Sequence, residues 1–327
     1  MILLTGAAGF IGSNFLARLN EAGITDVVIC DALGTEGKWR NLRQREFHDF
    51  VPIEKLEAWL ATAPALEGVV HLGANSDTTA ADGDEVMDRN FGFSLMLWNH
   101  CTRTGTPLLY ASSAATYGNG DGGFSDQDTP GHLATLEPLN LYGWSKHIFD
   151  RRVARDVEQG RPTPPRWYGM KFFNVYGPNE YHKAHMRSAV FNVTGTAMKG
   201  EAARLFASDR PDYVDGGQMR DFVFVDDICD IMLWLLRGSA PSGLYNLGSG
   251  QARSWDDLAK AVFAALGQPP AIEYVPMPET LRGKYQYWTE ADMTKLRRAG
   301  YNASTTSLEE GVARYVRDFL AKGNRYR

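Results

Sequence analysis

The sequence predicts an α/β protein, a Rossmann-type doubly wound parallel sheet with a smaller mixed α/β C-terminal lobe for substrate. Three observations carry that expectation. Short apolar runs alternate with amphipathic stretches through the first half. The first run passes straight into a glycine-rich turn, Thr5-Gly6-Ala7-Ala8-Gly9-Phe10-Ile11-Gly12, and the regular alternation is lost after Pro178. Strands that are apolar on both faces need helices above and below them, which is the doubly wound arrangement.

In chain order, Ile2–Thr5 is the first strand, and the helix after it carries Phe15, Leu16 and Leu19 on one face. Val27–Asp31 is the second and ends in an acid; runs at 69–72 and 108–112 follow. Residues 170–175 read as one strand closing this half, and helical spacing returns at 188–199, 226–236, 255–266 and 308–320. The organisation expected is a dinucleotide-binding part over 1–175 together with part of 220–250, and a substrate lobe over most of 176–327. Loops 118–123 and 209–218 stand out by their glycines and Pro211, and each is either a rim of the site or a solvated connection.

Composition narrows the class. Among 327 residues, 34 Lys and Arg face 39 Asp and Glu with the basic residues scattered, which speaks against a nucleic-acid partner. Cys30, Cys101 and Cys229 form neither a CxxC nor a Cys/His ligand pattern, so no metal and no disulfide framework is expected. The start of the chain lacks a basic leader and no apolar run reaches membrane-spanning length, so a cytoplasmic protein with no membrane partner is expected.

Placed between a strand and a helix, the three glycines have separate tasks. Gly6 makes the tight turn, Gly9 lets backbone N–H groups approach a pyrophosphate, and Gly12 lets helix and strand pack closely. Asp31 stands 19 residues after Gly12, where a carboxylate can accept hydrogen bonds from an adenosine ribose and so suits NAD. Lys38 and Arg40 follow closely enough to pair with the extra phosphate of NADP instead.

Tyr142 and Lys146 stand at i and i+4, on one face of the helix expected from there onward. The lysine's charge is expected to lower the tyrosine pKa towards that of a base for a sugar hydroxyl. Ser113 leaves the end of a strand, at the edge of a parallel sheet that faces the ligand crevice, and can hold the same hydroxyl. A Tyr-x-x-x-Lys spacing also arises on ordinary helix surfaces; the glycine turn and the serine-ended strand give it meaning here.

With these motifs the chain resembles the extended short-chain dehydrogenase/reductase family over essentially its whole length. Tyr110-Ala111-Ser112-Ser113-Ala114-Ala115-Thr116-Tyr117-Gly118 and Pro138-Leu139-Asn140-Leu141-Tyr142-Gly143-Trp144-Ser145-Lys146 narrow the likeness to its nucleotide-sugar 6-epimerases acting on ADP-glycero-manno-heptose, a lipopolysaccharide precursor. Phe173-Asn174-Val175-Tyr176-Gly177-Pro178 with His182-Lys183, the segment Arg220-Asp221-Phe222-Val223-Phe224-Val225-Asp226-Asp227, and Gly283-Lys284-Tyr285-Gln286 add to it.

The resemblance implies conversion of ADP-D-glycero-D-manno-heptose to its L-glycero epimer by transient hydride transfer at C6″ to tightly bound oxidised NADP or NAD, with a lean to NADP. Tyr142 would serve one face of the carbonyl formed and Lys183 the other, with Ser113 and Lys146 in support. It implies cofactor contacts from Phe10, Ile11, Asp31, Ala32, Lys38, Leu72, Gly73, Ala74, Asn75, Ser76, Asn90, Lys146, Val175 and Lys183. Substrate contacts would come from Ser113, Asn174, His185, Asn192, Phe206, Ala207, Ser208, Asp209, Arg220 and Tyr285, and a homo-oligomer is implied, with the apolar stretch 91–98 as a surface for it.

There are departures from the family pattern. Ala184-His185 stands for Gly-Ser, Asn192 for histidine and Ile53 for a lysine, and 209–219 is longer than expected. Another epimerase or dehydratase of the same fold, such as a UDP-hexose 4-epimerase, is the alternative, and dispensability of Lys183 would favour it. A net oxidoreductase would release reduced cofactor at each turnover, whereas an intact Ser113, Tyr142 and Lys146 argue against a non-catalytic dinucleotide sensor.

Overall fold

The computed structural model describes residues 1–238, 240–279, 286–323 and 325–327, so Tyr285, with Gly283 and Lys284, lies outside the described residues. In chain order the strands are β1 (Ile2–Thr5), β2 (Val27–Asp31), β3 (Asp49–Pro52), β4 (Gly68–His71), β5 (Leu108–Ser113), β6 (Trp167–Phe172), β7 (Asn174–Tyr176), β8 (Ala203–Phe206), β9 (Met219–Phe224), β10 (Gly243–Leu247), β11 (Ala252–Ser254) and β12 (Ile272–Val275). Among the described residues, seven of them form one parallel sheet in the order β10-β6-β5-β4-β1-β2-β3. The chain runs outward from β1 to β3 and returns to β4 on β1's other side, and this reversal opens a crevice at the carboxyl ends of the strands.

Burial explains the apolar runs. Leu3, Leu4, Val27, Ile29, Val69, Val70, Leu108 and Leu109 are wholly inaccessible, because helices cover the sheet. The helices Phe10–Glu21 and Val225–Leu236 pack on one another. Tyr110 and Trp98 meet Phe149 edge to face, at centroid distances of 4.9 and 6.3 Å, which fixes the helix Leu141–Glu158 against β5. Edge strand β3 carries no apolar run and was not singled out in the sequence.

A second, smaller core lies under β9, β7 and the helices Ala189–Ala197, Trp255–Ala265 and Leu308–Tyr315. In its three-stranded sheet β9 pairs parallel with β7 and antiparallel with β11, while β8 and β12 form a separate parallel pair.

Two expectations need correction. Residues 170–175 are not one strand: the Val175 N–H bonds back to the Phe173 carbonyl at 2.9 Å, and this short turn ends β6 and sends Asn174 and Val175 to pair with Phe222 and Val223. The stretch 91–98 is not a free apolar surface either, since Leu97 and Trp98 are buried and Phe91, Phe93, Leu95 and Met96 pack against the main core. Among the described residues no helix is long and apolar enough to cross a membrane, and no three His, Cys, Asp or Glu side chains are grouped to hold a metal ion.

Candidate active site

The glycine turn connects β1 to the helix Phe10–Glu21, whose N-cap, Gly9, supplies no capping side chain. The first N–H groups of the helix therefore face the crevice, at the positive end of its dipole. A Cβ on Gly12 would lie 2.1 Å from the Gly6 carbonyl oxygen, so only glycine allows helix and strand to approach this closely. These features fit a dinucleotide pyrophosphate.

At the end of β2, Asp31 is 5% exposed and both carboxylate oxygens are engaged, one by the Ala8 N–H at 2.7 Å and one by Lys38 Nζ at 2.6 Å. Ala32 is exposed beside it. Across the switch point, Leu72, Gly73, Ala74 and Asn75 line the edge half-buried, with Ser76 exposed. Asn90 is fully buried: its carbonyl takes the Asn75 N–H at 2.8 Å, and its amide donates to the Asn75 carbonyl and to Ser145 Oγ, each at 2.9 Å. Asn90 thus ties this loop to the helix that carries Tyr142 and Lys146.

That helix begins where Asn140 caps it, its side chain accepting the Gly143 N–H at 2.8 Å. Tyr142 falls in the first turn, where the dipole favours a phenolate. Gly143 brings the turn in close, because a Cβ there would meet the Ala115 carbonyl oxygen at 2.7 Å. The Ser113 hydroxyl, 8% exposed at the end of β5, stands on the same side as the Tyr142 phenol and acts on it.

The expected direction of the tyrosine shift is corrected. Burial pushes the Tyr142 phenol above its ordinary value, and the Ser113 hydroxyl is the group that pulls it down. Removing a phenolate from water outweighs the pull of its surroundings in the protein alone. Lys146, buried one turn further on, is itself brought down to about 8 by lost solvation, with Asp150 opposing the change.

From the other lobe, the segment after β7 lies against the glycine turn. Asn14 donates to the Pro178 carbonyl at 2.9 Å and Asn41 bridges the carbonyls of Ala8 and Asn179 at 2.8 and 3.1 Å. Lys183 Nζ stands 5.5 Å over the ring of Phe10, and burial lowers its pKa while Glu180 raises it. The next residue, Ala184, has φ 46° and ψ −116°, a region that suits glycine. Beyond it, His185 is exposed and reaches Asp77 and Thr79 at 3.4 Å, and Asn192 is exposed on the following helix.

Of the other expected substrate contacts, Asn174 is exposed and Val175 half-buried on β7, and Phe206, Ala207 and Ser208 are half-buried where β8 ends. Asp209 accepts the Tyr287 hydroxyl, Arg210 pairs with Asp212 at 2.7 Å, and Gln218, 1% exposed, donates to the Phe206 carbonyl at 3.3 Å, so the 209–218 loop is anchored at both ends. Arg220 is 7% exposed on β9, donates to the Met219 carbonyl at 2.8 Å and stacks 5.8 Å from the Trp255 ring. Two residues behind the site were not singled out in the sequence: Asp150, which continues the i+4 spacing of Tyr142 and Lys146, and Lys171, a charge set between Met170 and Phe172.

Comparison with known proteins adds to this geometry. Residues 2–248 match the NAD dependent epimerase/dehydratase family. The chain is 45% identical to the ADP-L-glycero-D-manno-heptose-6-epimerase of Fusobacterium nucleatum, covering all of both chains, and 48% identical to that of Nitratidesulfovibrio vulgaris, covering 98% of each. Among solved structures it is similar to the Helicobacter pylori ADP-L-glycero-D-manno-heptose-6-epimerase, with a TM-score of 0.78 and 25% identity over 97% of this chain and 95% of that one. The UDP-N-acetylglucosamine 4-epimerase of Methanobrevibacter ruminantium shares the fold, with a TM-score of 0.81 and 20% identity over 98% of each chain.

Proposed function

Since the chain belongs to the NAD-dependent epimerase/dehydratase family of extended short-chain dehydrogenase/reductase enzymes, we propose that it inverts C6″ of ADP-D-glycero-D-manno-heptose. The observation that carries this reading is the placing of Ser113 beside Tyr142 at the open end of β5, with Lys146 buried one turn beyond it, in a chain nearly half identical to relatives of that name.

The dinucleotide would lie on the glycine turn, with Asp31 and Lys38 at the adenosine end, the edge from Leu72 to Ser76 alongside, and Lys146 and Val175 towards the nicotinamide. When bound it would supply a hydride acceptor at C6″ in its oxidised form and a hydride donor there in its reduced form. Tyr142 Oη accepts the proton of the C6″ hydroxyl, and Ser113 Oγ holds the same oxygen and stabilises the charge as the carbonyl forms. Lys146, as an ammonium, lowers the cost of the phenolate. Once the carbonyl presents its other face, Lys183 Nζ donates the proton that completes the epimer; burial makes that proton easier to give. Arg220 pairs with the diphosphate, while Phe206, Ala207, Ser208 and Asp209 flank the nucleotide, Asn174 meets the sugar, and His185 and Asn192 rim it.

The paired Lys38 also bears on cofactor choice. It neutralises Asp31, removing the repulsion that would otherwise reject a 2′-phosphate, so NADP is the preferred dinucleotide. Incubation of the purified protein with ADP-D-glycero-D-manno-heptose, followed by NMR at C6″ and by absorbance in the nicotinamide band, tests the reading. Conversion to the L-glycero epimer without accumulation of reduced cofactor upholds it; turnover of a UDP-hexose alone refutes it.

A further inference from the structure

Asp150 lies one helical turn beyond Lys146 and is 1% exposed. Its carboxylate accepts hydrogen bonds from Lys171 Nζ at 2.6 Å, Ser112 Oγ at 2.7 Å and Tyr110 Oη at 3.2 Å. Lys171 is fully buried, donates a second bond to Thr116 Oγ1 at 2.7 Å and has the Tyr117 ring 5.0 Å away. A buried ion pair is tolerated when its remaining donors and acceptors are satisfied, as they are here. No step described above uses either residue. The elements they join are nonetheless those that carry the reacting groups: Ser112 precedes Ser113 on β5, Thr116 lies in the turn against which Gly143 packs, and Asp150 shares its helix with Tyr142 and Lys146.

Resting on the hydride-transfer reading of this site, we propose that Asp150, clamped by Lys171, is a positioning residue that keeps Lys146 protonated and holds its helix in register with Ser113. On their own helix, Lys146 and Asp150 have Tyr142 and His147 as titratable neighbours. From β4 comes His71, whose ring nitrogens meet Thr5 and Ser94 hydroxyls at 2.7 and 3.0 Å and which burial keeps neutral, at about 3. From β5 come Tyr110, Ser112 and Ser113, from β6 Lys171, and from the turn after β5 Thr116 and Tyr117. Asp150 is the anion of this set, and it opposes the desolvation that brings Lys146 to about 8. A lysine is charged below its pKa, so losing that anion removes the ammonium from the alkaline side first.

The test follows Lys146 directly, in the full chain without cofactor, through lysine labelled with ¹³C at Cε and assigned with Lys146→Arg. The titration midpoint is expected to fall by about one pH unit in Asp150→Asn and in Asp150→Asn/Lys171→Met, the latter leaving no lone buried charge to unsettle the fold. The alkaline limb of kcat on the heptose nucleotide should move with it, while KM changes by less than about twofold. An unmoved midpoint in the folded double variant overturns the clamp whichever sugar the enzyme takes. A lowered midpoint in a protein that leaves the heptose nucleotide untouched upholds the clamp and removes the substrate assignment instead.

Discussion

The two turns that flank the reacting centre treat their backbone in opposite ways. At the cofactor end, Gly12 stands where a side chain would meet the Gly6 carbonyl at 2.1 Å, and the residue matches the conformation demanded of it. At the substrate end, Ala184 holds φ 46° directly after Lys183, so a Cβ is carried in a conformation that glycine would occupy without strain. The difference separates the parts of the reaction. On the proposed function, the dinucleotide's place is fixed by close packing inside the main core, whereas Ala184 and His185, beside the sugar's expected place, lie on a strained, exposed turn.

Predictions that break or sharpen this contrast run from large effects to small. Tyr142→Phe should lower kcat about a thousandfold and leave dinucleotide binding intact, measured by single-turnover kinetics and a binding titration. Lys183→Met should cost about a hundredfold in kcat on the heptose nucleotide; unchanged activity would point to a one-tyrosine 4-epimerase. Gly12→Ala should destabilise the fold by about 2 kcal/mol and weaken dinucleotide binding, seen as a lower unfolding midpoint and a raised Kd.

Lys38→Ala should weaken NADP⁺ about tenfold while sparing NAD⁺, since Asp31 is then left unneutralised against the 2′-phosphate; equal losses for the two would refute the cofactor preference. Smallest of all, Ala184→Gly should stabilise the protein by about 1 kcal/mol, a rise of about 2 °C in Tm, through relief of the positive φ. A loss of stability there would erase the contrast between the two turns.

The parts visible in the sequence are those whose physics is local. Apolar runs marked the central strands because they are buried on both faces, and Gly6, Gly9 and Gly12 are legible because a turn between strand and helix dictates their spacing. Tyr142 and Lys146 were legible because i and i+4 share a helix face. What stayed hidden depends on distant partners. The break at Phe173 arises from a three-residue turn inside a stretch whose residue types suit one continuous strand. The pairing of Lys171 with Asp150 crosses from a strand to a helix, and the upward shift of Tyr142 comes from burial that spacing cannot report. Ala184 was visible as a departure, but its meaning lies in its φ angle.

The most direct measurement uses ADP-D-glycero-D-manno-heptose carrying deuterium at C6″, with the product read by NMR and mass spectrometry after turnover in ordinary water. A hydride lent and returned within one closed site predicts the L-glycero epimer with its deuterium still at C6″ and no net reduced cofactor. Loss of the deuterium to solvent, or its accumulation in released reduced dinucleotide, would contradict that account.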